Sequence, residues 1–158
     1  MTFKFTEENI ENAKKIIAKY PVGKARSAVM PLLYLVQEQN NNHISKEAIE
    51  YIAELIDIPV IKVYEVASFY TMFNLEKVGH HHIQVCGTVP CWLVGANEII
   101  AEVSKKVKKN HVSESGMLSL KEVECLGACT GAPVVQINDT YYENMSAQKI
   151  REILIDVE

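Results

Sequence analysis

Two short segments hold all four cysteines of this 158-residue chain. In "IQVCGTVPCW" four residues separate Cys86 from Cys91; after thirty-three residues without another cysteine, in "VECLGACTGAP" three residues separate Cys125 from Cys129. Thiols in two tight pairs can hold zinc, close disulfides, run dithiol exchange or hold an iron–sulfur cluster. Structural zinc takes its ligands most often from Cys-x2–4-Cys turns, so these intervals are compatible with it without being its commonest pattern. Two disulfides need an oxidising compartment. A dithiol oxidoreductase is expected to carry Cys-x-x-Cys, which is missing. A [2Fe–2S] cluster needs two thiolates on each of two irons, and loops of this width can wrap an inorganic rhomb. On spacing alone the cluster fits best, with zinc and inert or redox-active thiols still open.

The residues between the cysteines point the same way. A thiolate-ligated cluster is anionic and gains charge on reduction, so backbone N–H groups must approach it where side chains are small. Gly87 and Thr88 lie inside the first loop, and Gly127, Ala128, Thr130 and Gly131 surround the second. No Lys or Arg lies in either loop, so dipoles rather than full charges would set a potential there. The run His80-His81-His82 invites a metal reading, but successive strand residues point to opposite faces and cannot close on one ion. It reads as a polar strand entry, with His82 retained as a group near the cluster; His43 and His111 read as surface. No Gly-x-Gly-x-x-Gly, Gly-x4-Gly-Lys-[Ser/Thr] or Gly-x-Ser-x-Gly occurs, and no acid–base constellation stands out. No catalytic residue is assigned: if the chain serves a reaction, a partner holds the substrate.

The elements that must position these loops fall into two halves. Residues 1–78 read as a helical domain. Thr6 caps a first helix with Glu7 and Glu8 in its first turn and Ile10, Ala13, Ile17 and Tyr20 on one face. Pro21 and Gly23 break it. Ser27 is expected to cap a second helix with Pro31 near its first turn. Ser45 caps a third, with Ala48, Ile49, Ile52, Ala53 and Ile56 inward, ending at Asp57-Ile58-Pro59. Pro59 opens a fourth. Residues 79–158 change grammar. "HIQV" is a strand entering Cys86. "WLVGANEIIAEVSKKVKK" reads as one helix through Leu93, Ala96, Ile99, Ile100, Val103 and Val107. Gly116 turns into "MLSLKEVE", alternating at Leu118, Leu120 and Val123; "PVVQI" and "YYENM" flank the Asn138-Asp139 turn. Ser146 caps a last helix with Ile150, Ile153, Leu154 and Val157. The order β-α-β-β-β-α predicts an α+β chain, a helical bundle followed by a thioredoxin-like α/β domain.

Composition excludes several classes. The chain is 48% hydrophobic and 23% charged, as in soluble globular proteins. No apolar run approaches the ~20 residues of a membrane span, so no direct membrane insertion is expected. The start lacks an apolar h-region and carries Glu7, Glu8 and Glu11, unlike a secretory or organellar leader. A cytoplasmic location is expected, or a compartment whose import signal has been removed. Net charge is −4 and the pI about 5.8, which argues against nucleic-acid binding. The cluster Lys105, Lys106, Lys108 and Lys109 reads as a solvated helix end, where cations complement the dipole.

"HIQVCGTVPCWLVGANEI" together with "VECLGACTGAPVVQIND-YYEN" closely resembles the thioredoxin-like [2Fe–2S] ferredoxin module of the E subunits of NADH-quinone oxidoreductase (complex I). "YP" at 20–21, "RSAVMPLLYLVQEQ" at 26–39 and "VYEVASFYTMF" at 63–73 extend the resemblance over nearly the whole chain. It implies Cys86, Cys91, Cys125 and Cys129 as ligands of one [2Fe–2S] cluster. It also implies an NADH- and FMN-binding flavoprotein partner among the other complex I subunits. Hydride would pass from NADH to FMN on that partner, and the cluster would exchange single electrons with the flavin. Such a chain sits on the cytoplasmic side of the inner membrane through its complex. NAD-linked hydrogenases and formate dehydrogenases use similar small subunits, and a zinc-stabilised interaction module is the alternative from another class. Within the helical half, the "LLYLV" and "FYTMF" runs are expected to be mostly core, with any exposed part a docking face. Pro133 sits where thioredoxin-like folds often carry a cis proline.

Overall fold

In the computed structural model, which describes residues 3–156, helix α1 (Glu7–Ile17) begins where a hydroxyl can cap it. Thr6 is extended, and its Oγ1 accepts the Asn9 N–H at 3.3 Å. Glu7 and Glu8 at this end and Lys14 and Lys15 at the other complement the helix dipole. Ala13 is buried, Ile17 and Tyr20 are partly so, and Ile10 faces solvent. The chain then turns through Pro21 and Gly23, whose φ is +78°.

Ser27 does not cap the second helix. Residues Ala25–Ala28 close a 3-10 turn first, with the Ser27 N–H bonded to the Lys24 carbonyl at 3.0 Å. Ser27 is therefore already inside a wound segment, not in the extended conformation a capping side chain needs. Helix α2 (Val29–Gln39) starts after Ala28 without a side-chain cap. It carries Pro31 in its first turn, where the missing N–H costs nothing. Leu32, Leu33, Leu35 and Val36 are buried along it, while Tyr34 stays exposed with its ring edge-on to Phe73.

Helix α3 (Lys46–Leu55) is capped by Ser45, whose Oγ accepts the Ala48 N–H at 3.3 Å. Ala48, Ile49, Ile52 and Ala53 point inward, and Ile56 just beyond is also buried. Asp57 in the left-handed region ends it, and helix α4 (Val60–Phe69) follows Pro59. Val63 and Ala67 are buried, whereas Ile61, Tyr64, Phe69 and Tyr70 are exposed. Gln37 ties the end of this unit to α2, accepting the Asn74 N–H at 2.8 Å and donating to the Met72 carbonyl at 3.1 Å. His43, expected at the surface, is half-buried with Nε2 3.2 Å from the Leu75 carbonyl oxygen.

The described residues divide into two compact units, 3–77 and 78–156, each around its own hydrophobic core. The second is built on strands β1 (His81–Cys86), β2 (Leu118–Val123), β3 (Val135–Ile137) and β4 (Thr140–Tyr142). They form a sheet in the order β2-β1-β3-β4, with β1 and β2 parallel and the other pairs antiparallel. Gly79 leads into β1 where a Cβ would lie 2.7 Å from the Leu118 carbonyl oxygen and the Ser119 nitrogen, so glycine is required by the approach of the two backbones. Asn138, with φ +52°, makes the turn between β3 and β4.

The single helix expected from Trp92 onward is two. Helix α5 (Val89–Leu93) ends at Gly95, whose φ of +111° no continuing helix can use, and α6 (Ala96–Val103) restarts there. Leu93 is consequently exposed, while Ala96, Ile99, Val103 and Val107 stay in the core. Lys105 pairs with Glu102, and Lys109 with Glu122. Helix α7 (Ala147–Asp156) is capped by Ser146 through the Lys149 N–H at 3.2 Å and buries Ile150 and Leu154; Val157 lies outside the described residues. Arg151 joins α7 to α6 by a two-point bond to Glu102 at 2.9 and 3.2 Å, holding that carboxyl down to about 2 with help from Lys105. On β2, Leu118 and Leu120 are buried as expected, but so is Ser119.

Candidate metal centre

The parallel pairing of β1 with β2 decides where the cysteines go. Cys86 stands opposite Val123, so both chains leave the sheet at the same end. The Cys86 N–H donates to the Val134 carbonyl at 3.1 Å and the Gly87 N–H to the Val123 carbonyl at 2.8 Å, which fixes the exit of β1 between its neighbours. From there the chain enters α5, whose Cys91 is buried in the same core as Cys86. The chain leaving β2 passes Glu124 and Cys125, turns through Gly127 at φ +76° and winds into a 3-10 turn, Cys129–Gly131. Ala132–Pro133 is cis before the chain re-enters the sheet.

The four thiols differ in surroundings. Cys86 and Cys91 are 2% and 1% exposed, whereas Cys125 and Cys129 are on the surface. Cys86 Sγ lies 3.2 Å from Thr88 Oγ1 and 3.3 Å from the Glu124 carbonyl oxygen, and the Gly127 N–H donates to Cys125 Sγ at 3.3 Å. Burial alone would raise the Cys86 thiol. The Thr88 hydroxyl, the N–H groups of Leu126 and Thr88, and Cys91 outweigh it, and the net direction is down. Cys91 is raised, first by burial and then by its bond to Cys86; the Val134 N–H opposes this, and the charges of Cys86 and Cys129 add to it. These influences show that Cys86, Cys91 and Cys129 share one neighbourhood, with Cys125 next to the Glu124 carbonyl that Cys86 touches. Among the described residues, no three His, Cys, Asp or Glu side chains converge as one metal ion would require.

The histidines take no part. His82 is four residues before Cys86 on β1, which at ~3.3 Å per residue puts it about 13 Å away at the other end of the strand. It is 3% exposed, with Nδ1 2.8 Å from Ser119 Oγ. Burial first, and the nearby Lys121 charge second, hold it down at about 4. His80 and His81 meet edge-to-face, and His111 is exposed with Nδ1 against the Lys109 carbonyl. Sequence reasoning valued Thr88 for its smallness and passed over its hydroxyl. It also passed over the Leu126 and Val134 N–H groups, which only the closed loops aim at sulfur.

Comparison with known proteins agrees with this geometry. Residues 13–158 match the family model for the thioredoxin-like [2Fe–2S] ferredoxin. The chain is 50% identical over 154 residues to the NADH-quinone oxidoreductase E subunit of Rickettsia conorii, covering 96% of this chain and 92% of that one. Against the corresponding proteins of Rickettsia bellii and Rickettsia prowazekii the identities are 49% and 47%. The chain therefore belongs to the thioredoxin-like [2Fe–2S] ferredoxins and, among them, to the family of NADH-quinone oxidoreductase E subunits, components of an oxidoreductase complex. A solved NAD+-reducing [NiFe]-hydrogenase in the air-oxidized state superposes with a TM-score of 0.68 at 16% identity, over 79% of this chain. The H2-reduced state of such an enzyme gives 0.69 over 80%. At that identity the likeness establishes the fold, and this chain spans 22% of the hydrogenase chain.

Proposed function

We propose that this chain is the electron-transfer component of an NADH-quinone oxidoreductase, with Cys86, Cys91, Cys125 and Cys129 holding one [2Fe–2S] cluster. The observation that carries this is the delivery of two cysteine loops to one end of a parallel strand pair in a chain matching the [2Fe–2S] family over residues 13–158. The donor set fits the group. Two pairs of thiols suit two irons, and N–H groups from Leu126, Val134 and Gly127 reach sulfur without a cation in either loop. When bound, the cluster supplies one-electron chemistry. The chain's own work is to position the four sulfurs, to surround two of them with apolar residues, and to aim dipoles at them.

In this reading an NADH- and FMN-binding flavoprotein of the same complex exchanges single electrons with the centre. The helical unit, residues 1–78, and the thioredoxin-like unit, residues 79–158, act as separate domains, which their separate cores support. The complex holds the chain at the cytoplasmic face of the inner membrane. Consistent with a peripheral place, no helix among the described residues is long and apolar enough to cross a membrane. Half-identity over nearly the full length to E subunits favours this assignment over a hydrogenase or formate dehydrogenase component.

Iron, zinc and acid-labile sulfide analysis of anaerobically purified full-length protein tests the centre, with an EPR spectrum after dithionite reduction. Two irons and two sulfides per chain, with a rhombic signal from one unpaired electron, are expected. Zinc alone, with failed iron–sulfide reconstitution, overturns the assignment in favour of a structural clip. Co-purification with a flavoprotein tests the complex, and its absence sinks that part.

A further inference from the structure

We infer that the Thr88 hydroxyl raises the reduction potential of the centre by donating its hydrogen to Cys86 Sγ, an inference that rests on the [2Fe–2S] reading above. Thr88 occupies the N-cap of α5 with the extended backbone of a capping residue, φ −74° and ψ 162°. A threonine there ordinarily accepts an N–H from the second or third residue of the helix. Here the second residue is Pro90, which has no N–H, and the Thr88 side chain makes no capping bond. Its oxygen lies instead 3.2 Å from Cys86 Sγ.

The direction of that bond follows from counting hydrogens. The Cys86 thiol hydrogen is directed at the Glu124 carbonyl at 3.3 Å, so the bond to Thr88 needs the hydroxyl hydrogen. A metal-bound thiolate keeps no hydrogen of its own and can only accept, which leaves Thr88 in the same role. Cys86 is buried and Thr88 half-buried, so water competes weakly for the bond. Each electron added makes the sulfur ligands more negative, and a donor to sulfur stabilises the reduced form more than the oxidised form. The backbone N–H groups around the centre act in the same sense, but removing one takes a proline, which also constrains the backbone. Thr88 can be changed alone, and because it caps nothing, its hydroxyl is free of a competing structural duty.

The test is a redox titration, followed by EPR, of the reconstituted full chain as wild type, Thr88→Val and Thr88→Ser. Thr88→Val should reduce at a lower potential, by an amount equivalent to a threefold to tenfold change in the reduced-to-oxidised ratio, tenfold being about 59 mV for one electron. Thr88→Ser should stay near wild type. An Fe–S stretching band sensitive to D2O exchange should be present in wild type and Thr88→Ser and weakened in Thr88→Val, which a purely structural role would not produce. Should Thr88→Val fail to hold iron, Thr88→Ala carries the same expectation. Equal potentials for the hydroxyl-free variant and wild type overturn the inference. A wild-type chain that takes up no iron and sulfide overturns the cluster reading itself, so the two failures are separable.

Discussion

The two ends of strand β1 use the same pairing for opposite purposes. At one end the buried His82 ring meets the Ser119 hydroxyl at 2.8 Å; at the other the buried Cys86 sulfur meets the Thr88 hydroxyl at 3.2 Å. Around His82 the surroundings are closed. The Gly79 N–H donates to Ser119 Oγ at 2.9 Å, Asn138 Oδ1 accepts the His82 N–H at 2.9 Å, and Asn138 Nδ2 donates to the His80 carbonyl at 3.0 Å. With Gly79 donating into it, the serine oxygen is best satisfied by giving its own hydrogen to Nδ1, which leaves the ring hydrogen on Nε2. That nitrogen is buried without a partner. Around Cys86 the strands end and two loops bring three more thiols. A buried heteroatom against a hydroxyl is thus a seal at the first end and, in the proposed reading, a socket at the second.

The largest expected effect breaks the socket. Cys86→Ser or Cys125→Ser should each lower [2Fe–2S] content severalfold by iron and sulfide analysis, with the helical circular dichroism of the full chain kept close to wild type. Loss of most helical signal would contradict separate folding of the two units. Without iron the pairs should part: Cys86→Ala costs about 1–3 kcal/mol as a buried truncation, while exposed Cys125→Ala stays within about 0.5 kcal/mol, both read by denaturant unfolding.

A smaller effect tests the seal. His82 is held near 4 in the folded chain, while the unfolded chain takes up its proton near ~6.5. Between those values the unfolded state binds more protons, so the stability is fully present above about pH 6.5 and falls on acidification toward pH 4. Linkage gives a loss of about 2 kcal/mol between pH 7 and pH 5. Glu102, Glu47 and Glu65, all lowered from 4.5, add theirs only at more acid pH. Denaturant midpoints at pH 7 and pH 5 should therefore differ for wild type and coincide more nearly for His82→Leu. Equal pH slopes in the two would show that the ring is not the titrating group. Smallest of the three, Ser119→Ala should cost about 1 kcal/mol at pH 7 by unpairing the Gly79 N–H and the ring, and a wild-type midpoint would refute the hydroxyl's part in the seal.

What was legible in the sequence follows from how local each signal is. Thr6, Ser45 and Ser146 cap their helices because an extended residue, a short hydroxyl side chain and an N–H three residues on are all that a cap needs. Ser27 has the same side chain but lies in a turn already wound from Lys24, a state set by its neighbours. The apolar spacing from Leu93 to Val107 looked continuous because periodicity counts side chains, and only the backbone of Gly95 reveals the break. The alternation of β2 assigned Ser119 outward. It is buried with its hydroxyl against the ring of His82, 37 positions away. For the candidate site, the cysteines were visible as types and intervals. Which two are buried, and which N–H groups and hydroxyl face sulfur, depends on the parallel pairing of strands far apart in sequence, and no interval encodes that.

That parallel pairing has one more consequence. Cys86 ends β1 and Cys125 lies two residues beyond the end of β2, so their mutual position rests on Ile83 standing beside Leu120 and Val85 beside Glu122. Sliding β2 by one residue would move its loop by ~3.3 Å and turn Leu118 and Leu120 out of the core. In the proposed reading the apolar interior thereby proofreads the spacing of the sulfurs, and uptake of iron and sulfide becomes an inspection that only a correctly threaded sheet can pass.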